Sequence, residues 1–525
     1  MASVTLRIRF IEPRPAGHHV YDQILLPRLG VPLMATMLAE SGRDVAGYAE
    51  VLGPIDVADC MSADLIGISG TTSTQPSAYK LADEFEAAGI PVVLGGPHVT
   101  FCPEEALAHA SYVVRGEGEQ TIMELVDALE YSLPLDGIKG LSWREPSGRT
   151  HHNPARPACN QEGFERLPIP DLTLLNNYDR MTVKPIMTQW GCPYDCEFCS
   201  VTAMFSRSVR HRRNDQVIAE LQGLNANAVF FHDDNFIVNK QRTGALLSEM
   251  IAKDLTPNWW AQVRADSVFV SKAHKEPDHQ FLSLMSKAGC QMVMIGFESI
   301  SDEALSQVGK KITVADSRAA VNYYHEHGIG VHGMFVVGLD TDTSEAPART
   351  VDFAKEIGID TIQLMIVTPI PGTHLWKRAV EEDRLLDADW SLFDGHHVVM
   401  KPKQMSPLEL QLNTLAAMKR FYSWGSIIEP VVDKFMRSLP TVVSATLRTH
   451  SPVKLPTLAR LAVEKRWHDM AKSLQAALPD SRWLDLKAGV ILATMRHYGH
   501  ERIGQWHHQD TSRAWLDHLK LLPLS

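Results

Sequence analysis

Cys192, Cys196 and Cys199 stand at C-x3-C-x2-C spacing in the segment Gly191-Cys192-Pro193-Tyr194-Asp195-Cys196-Glu197-Phe198-Cys199. They are three of the chain's seven cysteines, gathered within eight residues. Thiolates are soft ligands that suit zinc or an iron–sulfur cluster, and the two differ in how many donors they need. A structural zinc takes four. No further Cys or His lies within ten residues on either side, His211 being the first beyond them. Three cysteines on a cubane leave one iron open to a further ligand, so the spacing favours a cluster over a zinc knuckle.

The elements that must hold this loop follow from hydrophobic periodicity. A strand is expected at 185–190, directly before the cysteines. Further strands are expected at 228–232, 259–263, 292–296, 331–337 and 361–367, with helices at 215–221, 242–253, 279–288, 314–326 and 346–357 between them. Thr313 with Asp316 makes a capping-box start for the helix at 314–326. Six strand–helix units form a partial β/α barrel, and such barrels work at the C-terminal ends of their strands. Those ends read His232-Asp233-Asp234-Asn235-Phe236, Arg264-Ala265-Asp266, Gly296-Phe297-Glu298-Ser299, Val337-Gly338-Leu339-Asp340 and Pro369-Ile370-Pro371-Gly372-Thr373. Each alone is also compatible with a surface salt bridge or a plain turn. Cys290 precedes a strand and reads as a small buried apolar residue.

Upstream, strands at 6–11, 44–49, 64–69, 91–94 and 112–115 alternate with helices at 29–40, 76–88, 103–109 and 119–129. This alternation indicates a parallel, doubly wound sheet, which binds ligands beyond its strand C-termini. The loops there are Ser69-Gly70-Thr71-Thr72-Ser73-Thr74-Gln75, Gly95-Gly96-Pro97-His98 and Gly116-Glu117-Gly118-Glu119. Glycines admit close backbone approach, and hydroxyls serve amide side chains of a ligand as donors and acceptors. No G-x-G-x-x-G follows a strand, which weakens a nicotinamide reading. Residues 136–180 read as a connector carrying a hairpin across Ser147-Gly148.

With Phe198 before the last cysteine, C-x3-C-x-aromatic-C after a strand resembles the radical S-adenosylmethionine (SAM) superfamily. The resemblance implies that Cys192, Cys196 and Cys199 hold a [4Fe–4S] cluster whose fourth iron chelates the amino acid end of SAM. It further implies SAM contacts from Phe198, from Asp233 and Asp234 to the ammonium, and from Arg264 to the carboxylate. Glu298 would meet the amino acid or ribose portion, and the Gly338 and Pro371 loops the adenine and ribose. The upstream loops resemble the cobalamin-binding domain of one branch of this superfamily. Ser69, Thr71, Thr72, Ser73, Gly95, Gly96, His98, Gly116 and Glu117 are the implied cobalamin contacts. The D-x-H-x-x-G motif that supplies a lower histidine to cobalt is absent, so the corrinoid would bind without a protein histidine, one residue of the 69–76 loop lying beneath the metal. His98 itself reads as a loop histidine bonded to its neighbours or to a cofactor amide. The chain departs from the branch's frequent S-R-G-C-P, having Gln189-Trp190-Gly191-Cys192-Pro193.

The implied fold is α/β: an N-terminal doubly wound Rossmann-like cobalamin-binding domain (1–135), a connector (136–180), a partial (β/α)6 radical SAM barrel (181–400) and a C-terminal α-helical domain (401–525). The implied enzyme passes one electron from the cluster to the SAM sulfonium, releases a 5′-deoxyadenosyl radical and methylates a carbon centre of a secondary or cofactor metabolite from methylcobalamin. Radical oxidative cyclisation, as in the anaerobic magnesium-protoporphyrin monomethyl ester cyclase, uses the same cofactors. A tRNA methylthiotransferase would need a second cluster, for which Cys60, Cys102 and Cys159 are the available thiols, and no basic β-rich RNA-binding tail follows the barrel. A non-catalytic cobalamin or Fe–S sensor has no use for a full set of SAM contacts.

The bulk properties agree with a soluble globular enzyme of 525 residues: hydrophobic content is 45%, charged content 22%, and no apolar run is long enough to span a bilayer. Residues 1–9 enter a strand pattern without a signal peptide, so a cytoplasmic location with reduced thiols is expected. Net charge is −11, yet residues 405–525 hold 16 Lys+Arg against 10 Asp+Glu. The basic residues are dispersed, which argues against nucleic acid. That helical tail, with five tryptophans and seven histidines, is expected to cover the barrel mouth. His497, His500, His507 and His508 read as packing and surface groups, not metal ligands. The partners expected are a small-molecule substrate and a reductant such as flavodoxin or ferredoxin, with a monomer as the default.

Overall fold

The computed structural model describes residues 5–15, 25–271, 275–386, 389–423 and 517–519. The first sheet contains β1 (Arg7–Glu12), β2 (Asp44–Ala49), β3 (Leu65–Ser69), β4 (Val92–Gly95), β5 (Tyr112–Val114), β6 (Leu141–Arg144) and β7 (Thr150–His152), in the order β2-β1-β3-β4-β5-β6-β7. β1 to β5 run parallel. Strand order reverses between β1 and β3, the topological switch where doubly wound sheets place their ligands. Helices Gly30–Glu40, Gln75–Ala87 and Glu119–Tyr131 cover the sheet, burying Leu33, Leu38, Tyr79, Phe85, Ile122 and Leu125.

Two expectations change here. The hairpin read as part of a connector extends the first sheet, because β6 pairs antiparallel with the otherwise open edge of β5. Trp143 stacks on His151 at 4.8 Å between ring centroids to close that edge. The single helix expected at 103–109 is instead Pro103–Ala106, preceded by Pro97–Phe101. Pro103 lacks the N–H that would carry one helix through from His98.

The second sheet contains β8 (Lys184–Ile186), β11 (Ala228–Phe231), β12 (Asn258–Val263), β13 (Cys290–Glu298), β14 (Gly330–Val337) and β15 (Thr361–Ile366), all parallel and in sequential order. The strand expected at 185–190 is broken: β8 stops at Ile186, and β9 (Gln189–Trp190) leaves the barrel to pair antiparallel with β10 (Arg210–His211). The intervening helices include Asn214–Leu224, Lys240–Ala252, His279–Lys287, Val314–Glu326 and Ala346–Glu356. The Thr313/Asp316 capping box forms as expected, Thr313 N donating to Asp316 Oδ2 at 2.8 Å.

Between sheet and helices lies a continuous core in which Phe231, Phe236 and Trp259 pack edge to face and stacked, with the Trp259 indole N–H donated to the Ala288 carbonyl at 3.0 Å. Cys290 is buried in it, as expected of a structural thiol. Helix Pro407–Phe421 closes one flank, its Tyr422 hydroxyl donating to the Ile362 carbonyl at 2.6 Å. The tryptophan- and histidine-rich tail, with His497, His500, His507 and His508, lies outside the described residues. No helix among the described residues is long and apolar enough to cross a membrane.

Candidate functional site

The cysteine loop is entered through a corner that the end of β11 builds. Asp233 is fully buried and accepts hydrogen bonds from Thr188 N at 2.7 Å, Thr188 Oγ1 at 2.6 Å and Gln189 N at 3.2 Å. Burial pushes its carboxyl up to about 6. Asp234 accepts from Gly191 N at 3.0 Å. Gly191 has φ +86°, and a Cβ there would run into the Ser208 carbonyl, so the chain turns into the cysteine segment at a position that only glycine fills. The two acids expected to meet the SAM ammonium are therefore engaged with the loop's backbone, Asp233 with all the bonds its corner offers.

The loop's far side docks on the turn after the helix Asp302–Gln307 and on the helix His374–Glu381. Glu197 N donates to the Val308 carbonyl at 3.0 Å, and Leu375 N to the Glu197 carbonyl at 3.0 Å. The Glu197 carboxylate pairs with Arg378 at 2.6 Å. Tyr194 lies against the Arg264 guanidinium, 3.7 Å from ring centroid to cation. Arg264 donates to Asp266 through Nε and Nη2, at 2.9 and 3.2 Å. Glu298 forms a buried ion pair with Lys310 at 2.6 Å.

The three loop thiols are half-buried and lie within one another's electrostatic reach. Burial raises all three, Cys199 to about 12, while the Lys310 and Arg264 charges pull Cys192 and Cys196 the other way. A tetrahedral zinc with bonds near 2.3 Å needs its sulfurs about 3.8 Å apart. Among the described residues the one trio of donors gathered within 4.8 Å is His98, Cys102 and Glu105; the loop cysteines are not so gathered. Three soft donors on one short loop, spread wider than a single ion requires, fit a cluster that distributes its thiolates over separate irons.

Behind Phe198 opens a cavity of about 450 Å³ lined by Val308, Leu339, Val367 and Leu375, with Asp340 and Arg378 at its polar rim. Its Leu339 wall is held by Asp342, whose Oδ2 accepts from Leu339 N at 3.1 Å and from the preceding Gly338 N at 2.9 Å. Pro371 is buried on the neighbouring strand end. An apolar slot with a charged rim suits a planar base and its sugar.

The first-domain loops interlock. Gly70 N donates to the Gly95 carbonyl at 3.2 Å, and Gly96, at φ +109°, presses so closely on the Gly70 carbonyl that a Cβ would collide with it. Ser69 is half-buried and its carbonyl accepts from Arg28 at 3.3 Å; Thr71 N donates to Thr74 Oγ1 at 2.8 Å; Ser73 is half-buried. Thr72 is buried with its hydroxyl 3.4 Å from His98 Nδ1. The His98 ring is enclosed beside Trp390, 4.7 Å away between ring centroids. Gly116 N donates to Thr100 Oγ1 at 2.9 Å. Glu117 is consumed by a buried pair with Arg210 at 2.5 Å and by the Cys159 N–H at 2.8 Å. Gln75, fully buried beside the Tyr79 hydroxyl, has no well-formed hydrogen bond on its amide atoms. This orphaned amide, the glycine backbone and the hydroxyl turn fit the amide-fringed edge of a corrin.

Two groups that motif reading missed join the two halves. Arg210 binds Glu117 and the Cys159 carbonyl while its guanidinium sits among Phe164, Trp190 and Phe205. Arg28, paired with Glu12 at 3.1 Å, extends its charge to His232 at the end of β11. Burial and that charge take His232 down to about 4, so the imidazole is neutral. A third, Lys310, pairs with Glu298 inside the barrel. None has a local signal, since each matters through a residue distant in sequence.

Residues 186–369 match the family described as the radical SAM superfamily, and residues 24–126 match the B12 binding domain. An uncharacterized methyltransferase of Pyrococcus horikoshii is 34% identical over 75% of this chain and 88% of its own length. The bacteriochlorophyllide d C-12(1)-methyltransferase of Chlorobaculum tepidum is 26% identical over 77% and 84%. The solved structure of the cobalamin-dependent S-adenosylmethionine radical enzyme OxsB, with aqua-cobalamin and S-adenosylmethionine bound, shares the fold at TM-score 0.64 and 17% identity, covering 98% of this chain and 84% of that one. A radical SAM domain implies a [4Fe–4S] cluster and SAM, and the upstream domain implies cobalamin. With three cysteines in the loop after the first strand of a six-stranded half-barrel and a doubly wound domain joined to it, the chain belongs to the cobalamin-dependent radical SAM family, in which methyltransferases predominate.

Proposed function

We propose that the chain transfers a methyl group to a carbon atom of a small metabolite bound between its two sheets. The observation that carries this reading is the direct linkage of the two sets of strand ends, through Glu117–Arg210 and through Arg28 beside His232. When bound, the cluster supplies one electron at low potential to SAM and the corrinoid supplies the transferable methyl group.

The residues divide the work. Cys192, Cys196 and Cys199 hold the cluster. Phe198 and the cavity behind it, closed by the Gly338 and Pro371 strand ends, take the adenosine portion of SAM. Asp234, bonded to the start of the cysteine loop at Gly191, and Glu298 lie nearest its amino acid end. Asp233 and Arg264 position the loop instead of touching the cosubstrate. Ser69, Thr71, Ser73, Gly95, Gly96 and Gly116 offer backbone and hydroxyl groups to the corrinoid, with Thr72, His98 and Glu117 holding those loops in shape. His232, neutral and within reach of the Arg28 charge, orients the substrate in a cleft from which the opposed domains exclude water. A one-electron protein donor of the flavodoxin or ferredoxin type supplies the reductant.

Anaerobically reconstituted protein is expected to carry about four irons per chain, to bind corrinoid by its visible spectrum, and to release 5′-deoxyadenosine on reduction with SAM. S-adenosylhomocysteine formed in step with 5′-deoxyadenosine supports methyl transfer. 5′-Deoxyadenosine without it, on the authentic substrate, replaces methyl transfer by cyclisation.

A further inference from the structure

Lys310 lies on no strand end and in no motif, yet it makes the one buried cationic contact at the tip of β13. Its Nζ is 2.6 Å from Glu298 Oε1, and the two side chains are 9% and 11% exposed. The surroundings are built to hold this pair. Glu298 takes a left-handed backbone conformation, φ +61°, where β13 bulges between Gly296 and Glu298. Such a conformation costs a non-glycine residue energy and persists only where its neighbours enforce it. Gly296 is the facing position, and a Cβ there would meet both Glu298 Oε1 and Lys310 Nζ. The turn that carries Lys310 is tied to the cysteine loop, Val308 accepting from Glu197 N at 3.0 Å, and Gly309 packs against the Asp195 carbonyl. Lys311 accepts from Arg264 at 3.4 Å on the other side. A Cβ on Gly309, the residue before Lys310, would also lie 3.9 Å from the Cys196 Cα, so the pair sits against the cysteine loop.

We propose that the Lys310–Glu298 pair sets the reduction potential of the cluster held by Cys192, Cys196 and Cys199, with Lys310 as a positioning and electrostatic residue. The inference rests on the cluster reading above. One electron leaves an external low-potential donor and enters the cluster, which becomes one unit more negative. Lys310 stabilises that added charge across a low-dielectric contact, Glu298 opposes it, and their pairing fixes the balance. Removing either partner must therefore move the potential in opposite directions, which loss of a merely structural contact does not do.

The test is a dye-mediated redox titration, followed by electron paramagnetic resonance, on full-length protein loaded with cluster and free of corrinoid and SAM, iron content being matched between samples. Lys310→Met is expected to shift the midpoint to more negative potential and Glu298→Gln to less negative potential. The double variant is expected to return near wild type, and Lys310→Arg to stay there. Single variants that leave the midpoint unchanged, or that move it in the same direction, overturn the proposal. If Lys310→Met fails to load iron, the Glu298→Gln shift alone decides. Wild-type protein that binds no cluster fails the cluster reading instead, a different outcome from a loaded cluster whose potential ignores the pair.

Discussion

The loops at the ends of the two sheets have opposite chemistry. In the barrel the strand ends and the cysteine loop carry reactive side chains: three half-buried thiols, Phe198 at the wall of a cavity and the buried Glu298–Lys310 pair. In the first domain the polar side chains are mostly used up among themselves, Thr71 on Thr74, Thr72 near His98 and Glu117 on Arg210. What the first domain presents is backbone, glycine edges and the Gln75 amide. A cluster needs covalent ligands of one element type, whereas a large amide-fringed ring can be held by shape and main-chain groups. One site is therefore defined by which residues occur and the other by how closely its chains approach.

Substituting one residue from each region separates these modes. Cys196→Ala removes a ligand that nothing nearby replaces; iron is expected to fall to background by colorimetric assay and 5′-deoxyadenosine to vanish, while corrinoid binding persists. Retained 5′-deoxyadenosine sinks the ligand assignment. Arg210→Met strikes the joint between the regions. It strands Glu117, 7% exposed, without its partner, and leaving one half of a buried pair costs about 3–5 kcal/mol. Chemical denaturation should show that loss, with occupancy of both cofactors reduced together.

Asp233→Asn isolates the corner that feeds the cysteine loop. The folded carboxyl titrates near about 6, above its unfolded value of about 3.9. A carboxyl raised in this way stabilises the fold below about pH 4, and that contribution is lost as pH rises through about 6. Wild type should therefore lose about 3 kcal/mol relative to Asp233→Asn between pH 4 and 7, read as the difference of two denaturation series. An unchanged difference shows that the carboxyl titrates normally. Gly96→Ala carries the smallest expected effect. It forces a side chain into a positive-φ position against the Gly70 carbonyl, costing about 2 kcal/mol. Corrinoid affinity should drop with iron content intact, the mirror image of Cys196→Ala; loss of iron instead would show that the first-domain loops are not independent of the cluster.

Much of this was legible in order along the chain. The C-x3-C-x2-C spacing, the glycine and hydroxyl loops and the six barrel strands are local patterns, and the family matches fall on the same stretches. What composition leaves open is each group's neighbours. Asp233, Arg264, Glu117 and His98 have the chemical types a cofactor site needs and sit at strand ends, and in the fold they meet Thr188, Asp266, Arg210 and Thr72. Composition records what a side chain can bind, not what it has bound. The 185–190 stretch shows the same limit: its apolar pattern continues through Trp190, yet Asp233 takes the Thr188 and Gln189 amides and turns the chain out of the barrel.

The amino-acid order by itself determined the ligand trio, the alternation of strand and helix, and hence two parallel sheets whose working edges must be their strand C-termini. Only the tertiary structure decided that those edges meet, through Arg210 across to Glu117 and Arg28 toward His232, and that Lys310 stands beside Glu298. Motifs encode short-range geometry, because a turn or a strand is fixed by its own few residues. Charge pairs between distant segments are fixed by burial, and burial exists only once the whole chain has closed around them.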